Sequence, residues 1–267
     1  MRPKPFLLAL LAVAAAVCPG PLPAETMEEK GLAIALRADR RAAGYGDYTA
    51  AGEMILRDRA GSESRRQFRV ATLEVPEDGD KSLIVFDWPA DIRDTGLLTV
   101  GHKQGDDDQW LYLPALKRVK RISAANRSGS FVGSEFAYED MVGHEVERYD
   151  HLWLHDEPCP GAEDLVCHVN ERRPKLPGSG YSRHAIWLDT AEYRLFKADY
   201  YDRKDSLLKT LTISGYELYD GKWWRPGKMV MTNHQTGKST DMLWRGYRFR
   251  TGLRDEDFTT RALERAR

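Results

Sequence analysis

The chain has 267 residues, 42% hydrophobic and 30% charged, with 22 Gly and 13 Pro. Those proportions exclude a polytopic membrane protein, a collagen-like chain and a wholly disordered one, leaving one large globular domain or two small ones. Lys and Arg number 40 against 41 Asp and Glu, without the basic excess of a general nucleic-acid binder, so no nucleic-acid partner is expected.

Arg2 and Lys4 precede an uncharged run, residues 6–17, rich in Leu and Ala. The run is too short to cross about 30 Å of hydrocarbon. Pro19-Gly20-Pro21-Leu22-Pro23-Ala24 then breaks any helix and supplies a small residue for cleavage. This reads as a secretory signal peptide, residues 1–24, cut near Ala24. Cys18 does not suit lipoprotein processing, because Val17 stands where a small residue is needed. Residues 25–267 are read as a single domain. Within it only Cys159 and Cys167 remain. An even number of cysteines in an exported protein points to a disulfide, and closing a loop of about nine residues stabilises by roughly 2–3 kcal/mol on the chain-entropy model.

Thr26 can cap a helix, Glu28 and Glu29 suit its positive end, and Gly44 can end it. Its apolar stripe (Met27, Ile34, Ala35, Ala38) is thin, so the helix covers a core rather than forming one. Beyond Gly46 the hydrophobic period changes to two. Strands are expected over residues 49–58, 63–75, 82–88, 97–103, 109–113 and 118–122. After a long loop they resume over 146–155, 165–172, 182–188, 194–201, 207–219, 223–232 and 239–250. The apolar phase slips between Phe68/Val70 and Leu73/Val75, as a β-bulge would cause. About twelve strands joined by short hairpins should curl into a barrel or a strongly bent sheet. The longest interruption, residues 123–143, carries Phe131, Phe136, Tyr138 and Met141 among Ser and Gly. A loop of that length inside a compact domain is more often functional than filler.

Several strands are apolar on both faces. Trp110 and Tyr112 oppose Leu111 and Leu113; Ile84, Phe86 and Trp88 oppose Leu83 and Val85; Met229 and Met231 oppose Val230. One face can bury under the helix, while the other lines a cavity or an interface, unless both simply form core. The sequence holds no nucleophile elbow, Walker loop or dinucleotide fingerprint. His151 and His155 have helical metal spacing but fall on a strand, where they stand about 13 Å apart. Asp106-Asp107-Asp108 is a hairpin tip. Lys117-Arg118-Val119-Lys120-Arg121 reads as an exposed strand face that could meet anionic headgroups or an acidic partner.

Four stretches together resemble the outer-membrane lipoprotein-sorting protein family, relatives of the carrier LolA. They are Trp110-Leu111-Tyr112-Leu113-Pro114-Ala115-Leu116-Lys117-Arg118-Val119-Lys120-Arg121-Ile122; Ser130-Phe131-Val132-Gly133-Ser134 through Tyr138-Glu139-Asp140; Trp187-Leu188-Asp189 with Lys197, Tyr200, Tyr201 and Asp202; and Lys228-Met229-Val230-Met231 with Thr236-Gly237-Lys238-Ser239-Thr240. The resemblance implies a mainly β fold, an unclosed antiparallel half-barrel of about eleven to thirteen strands with a few covering helices, LolA/LolB-like. It further implies a non-catalytic periplasmic carrier that holds acyl chains of a lipid or lipoprotein. Transfer would run towards the outer membrane, with transient membrane contact and an exporter of the resistance–nodulation–division (RND) type as partner. The alternative is an adaptor or sensor docked on such an exporter without cargo. Candidate lining residues are Trp88, Trp110, Tyr112, Trp187, Met229 and Met231, with Phe131, Phe136 and Met141 as a lid. No cofactor or metal is expected.

Overall fold

A computed structural model describes residues 24–266. The expected signal peptide therefore lies outside the described residues, apart from Ala24. Six strands, β1 (Asp47–Arg57), β2 (Glu63–Leu73), β3 (Lys81–Trp88), β4 (Gly96–Val100), β5 (Asp108–Leu113) and β6 (Arg118–Ile122), run as a meander from the middle of the sheet to one edge. The other edge is β7 (Tyr149–Cys159). From there β8 (Ala162–Pro174), β9 (Tyr181–Asp189), β10 (Leu195–Asp202) and β11 (Leu207–Ser214) return towards the middle. A short ribbon of β12 (Glu217–Tyr219) and β13 (Trp223–Arg225) leaves the sheet before β14 (Lys228–Asn233) and β15 (Ser239–Phe249) complete it. β15 pairs antiparallel with β1, from Tyr48 opposite Phe249 to Arg57 opposite Ser239. The main sheet has thirteen strands, and β6 and β7 are its two free edges, so the barrel is unclosed.

Two expected strands, 207–219 and 223–232, are each broken. Gly215 takes a left-handed φ of 65°, and Gly227 donates to its carbonyl at 2.8 Å. A Cβ on Gly227 would stand 2.8 Å from that oxygen, and Pro226 has no N–H for the ladder. The hairpin therefore folds off as a separate ribbon. The expected bulge near Leu73 is absent. β2 pairs with β1 without interruption from Leu73 opposite Asp47 to Glu63 opposite Arg57. Ala71 and Leu73 simply belong to a different apolar cluster from Phe68 and Val70.

That second cluster explains the two-faced strands. The inner face carries Met54, Phe68, Phe86, Leu97, Ile186, Tyr200, Leu211, Met231 and Met242, all buried. The outer face of β2–β6 carries Ala71, Leu83, Leu98, Trp110 and Tyr112 against Phe258 and Leu263 of the C-terminal segment. Leu263 lies on α2 (Thr260–Arg265), a short helix that the sequence periodicity did not suggest. A third cluster gathers Val169, Trp187 and Phe196 around the Cys159–Cys167 disulfide.

The inner face is covered by α1 (Met27–Ala42) and by residues 123–148. Thr26 caps α1 in a capping box with Glu29, at 3.1 and 2.8 Å, as its sequence suggests. Gly31 meets the backbone of β7 so closely that a Cβ would stand 2.6 Å from the Trp153 nitrogen. The helix thus closes on the sheet edge at a distance only glycine permits, and Ile34 enters the inner core.

Candidate functional site

Residues 123–143 form a plug built of short 3-10 turns rather than a regular element. Its apolar tip goes inward. Phe131 is fully buried, with its ring 5.8 Å from those of Phe86 and Tyr138, and Phe136 is buried in the same core. Each such ring contributes about 1.5–3 kcal/mol on leaving water. Between them Val132 holds φ at 44°, the left-handed region that a β-branched residue rarely adopts. Its carbonyl accepts from the Arg66 guanidinium. The hollow of the half-barrel is thus occupied by this strained irregular segment together with Ile34 of α1 and the sheet's inward side chains.

Polar side chains fasten the plug along its flanks. Asp140 accepts from the Lys209 ammonium at 2.7 Å and from the Tyr181 hydroxyl at 2.9 Å. Lys209 also donates to the Glu135 carbonyl at 3.0 Å. Glu139 accepts from Ser179 Oγ and the Gly180 N–H at 2.7 and 2.9 Å, and Gln109 donates to the Tyr138 carbonyl at 3.0 Å. Burial raises the Glu139 carboxyl above its usual range. Burial, aided by Asp140, likewise pushes the Tyr181 hydroxyl well up. Sequence reasoning missed Lys209, although it shares parity on its strand with the inward Leu211 and Ile213, so an inward charge was legible there.

Beside the plug, a cleft of about 460 Å³ opens against β10 and β11. Phe136, Leu208 and Tyr181 give it an apolar lining, with exposed Arg203 and Lys204 among its walls. A second cleft, about 520 Å³ below the C-terminal turn of α1, mixes Tyr45, Tyr48 and Trp224 with charges of both signs. Within reach of its carboxylates, Glu145 is pushed up to about 7 by burial and then by Asp80 and Asp39. Elsewhere, on the inner side of β8 and β9, Arg172 donates to His184 Nδ1 at 3.0 Å, leaving Arg172 Nη2 and His184 Nε2 without partners among the described residues.

The nine candidate lining residues do not form one surface. Phe131, Phe136, Met141, Met229 and Met231 gather at the inner core. Trp110 and Tyr112 pack on the outer face beside Phe258, and Trp187 sits beside the disulfide under the Lys197 ammonium at 4.2 Å. Trp88, at the end of β3, is 47% exposed. His151 and His155 lie on β7, the first bonded to the Val146 carbonyl and the second to Glu157. Asp106, Asp107 and Asp108 pair with Arg127, Arg148 and Arg121. Among the described residues no group of three or more His, Cys, Asp or Glu is placed to hold a metal ion.

A model of a family of uncharacterized proteins matches residues 78–265. No curated protein matches significantly. Among solved structures, one from Vibrio parahaemolyticus, named for an outer membrane lipoprotein-sorting protein domain, is 49% identical with a TM-score of 0.86. It aligns over 89% of this chain and 99% of that one. A DUF1329 family protein from Desulfovibrio piger is 32% identical with a TM-score of 0.83, again over 89% and 99%. The LolA superfamily protein NE2245 from Nitrosomonas europaea shares the fold at a TM-score of 0.68 and 19% identity, over 86% and 97%. By sequence and by fold, the chain belongs to the outer-membrane lipoprotein-sorting protein family and has its LolA-like unclosed β-barrel.

Proposed function

We propose that residues 25–267 act in the periplasm as one carrier unit. It binds acyl chains of a lipid or lipoprotein where the plug now sits and moves them towards the outer membrane, in partnership with an RND-type exporter. The observation that carries this reading is the make-up of the hollow. Its walls carry buried apolar side chains from nine strands, β1–β4, β9–β11, β14 and β15, and part of its filling is the irregular segment 123–143, fastened along its flanks by polar contacts rather than by a sheet ladder. Shielding a chain of about 14 methylenes is worth roughly 11 kcal/mol, enough to offset the loss of two buried Phe rings and those contacts. The reaction is exchange of one apolar filling for another, with no bond made or broken.

Purification from the native host followed by extraction and mass spectrometry should yield a bound amphiphile, and the protein should take up a fluorescent fatty acid. Consistent absence of both would overturn the reading. The packed state of Phe131 and Phe136 favours one rival, an adaptor that docks on the exporter without cargo. Crosslinking in cells that captures exporter protein but no lipid would favour the rival.

A further inference from the structure

Strand register places the same end of the sheet at the β1–β2, β3–β4, β5–β6, β10–β11 and β14–β15 turns. Three large apolar side chains project there into solvent: Leu116 at 68% exposure, Trp88 at 47% and Leu207 at 39%. Around them stand Arg59, Arg93, Lys117, Arg118, Lys204 and Lys238, none with a carboxylate partner among the described residues. Of the nearby acids, Glu63 pairs with Arg57 and Arg65, Asp87 with Arg69 and Asp205 with Arg183, while Asp58 and Asp202 are bonded into their own turns and Asp91 and Asp94 have no cationic partner among the described residues, so the unpaired cations outnumber the unpaired acids by six to four. The opposite end is mixed in charge: Glu74, Glu77, Asp78 and Asp80 share one turn, but Asp78 is bonded to His102, Asp106 to Arg127 and Asp107 to Arg148, and Lys103 stands beside them.

We propose that the end bearing Leu116, Trp88 and Leu207 is a docking surface for an anionic phospholipid bilayer. Apolar anchors set among cations partition into the headgroup boundary, with Trp especially suited to that depth. The spacing of the anchors selects a bilayer over an acidic peptide. A peptide added to the free edge β6 would reach Leu116 alone, whereas Trp88 ends β3 and Leu207 begins β11, well away in strand order. Only a broad surface meets all three. The cleft lined by Phe136, Leu208, Arg203 and Lys204 includes the β10–β11 turn at this same end. The inference stands on exposed residues and does not require that the hollow binds lipid.

Co-sedimentation of the full chain with vesicles tests it. Binding is expected to phosphatidylcholine vesicles containing phosphatidylglycerol, weakening with salt, and not to phosphatidylcholine alone. The double variant Leu116→Asp/Lys117→Glu should bind at least about tenfold more weakly, while Val166→Asp, exposed elsewhere on β8, should match the unaltered chain. No binding of the unaltered chain to the anionic vesicles, equal binding by the double variant, or an equal loss with Val166→Asp would each overturn the proposal. Capture of an acidic peptide without vesicle binding would do the same. Fatty-acid uptake measured on the same samples separates the two readings: docking without uptake keeps the surface and removes the carrier, and uptake without docking does the reverse.

Discussion

Lys209 and Asp140 face each other inside the protein with side chains only 5% and 3% exposed, so neither charge is solvated by water. Removing one partner of such a pair costs far more than the pair itself contributes. Lys209→Met should lower unfolding free energy by roughly 3–5 kcal/mol, read from urea denaturation. Adding Asp140→Asn should restore part of that, because the amide can still bond Tyr181 and the Ala137 N–H while the orphaned charge is gone. Glu145 gives a pH dependence of definite sign. Its folded value of about 7 exceeds its ordinary 4.5, so the folded state holds the extra proton between those limits. The resulting stabilisation is full below the lower limit and fades as pH rises through the upper one. Glu145→Gln should therefore flatten the fall in urea midpoint between about pH 5 and about pH 8; an unchanged fall would assign it to other groups. Alternation in the sequence shows which residues share a face, and so Met229 and Met231 are legible as a pair. It does not show which face is inner, and Trp110, Tyr112 and Trp187 are found on the outer side for that reason.

At the level of elements, α1 and most strands are legible because capping and period-two patterns are local. The ribbon of β12 and β13 is not, since its separation depends on a contact between Gly215 and Gly227 across a hairpin. Nor is α2, too short for a periodic signal and held by packing of Leu263 on the outer face. The plug shows in the sequence as length and aromatic content, while its fastening comes from partners dozens of residues away. Phe131→Ala should destabilise the fold by about 3–5 kcal/mol. By leaving room under the plug it should also increase fatty-acid uptake at equal protein concentration. Reduced uptake in a folded variant would argue that Phe131 belongs to the binding surface rather than to a removable filling. The Cys159–Cys167 bridge ties the hairpin of edge strand β7 to β8. Replacing both by Ser should cost roughly 2–3 kcal/mol, with faster hydrogen exchange confined at first to β7 and β8.

On the scale of the whole molecule, a barrel or strongly bent sheet is legible from the count and spacing of strands, and the family, with its unclosed half-barrel, from motifs spread over most of the chain. Strand order is less so. A simple meander would place the first and last strands at opposite edges, whereas β1 and β15 lie side by side in the centre. Parity and turn signals say nothing about that pairing, which joins Tyr48 to Phe249.

This central seam has a consequence for how the protein is made. Until the final strand emerges, β1 is an open ladder with nothing to bond on one side, and the two arms of the sheet are joined only through α1, which rests on β7, and through the segment that will become the filling. Such late, long-range zippering is slow and leaves a sticky edge in the meantime. Pulse-labelled amides of β1 facing β15 should gain protection after those shared by β2 and β3, and a newly made chain would need a chaperone's cover for that interval.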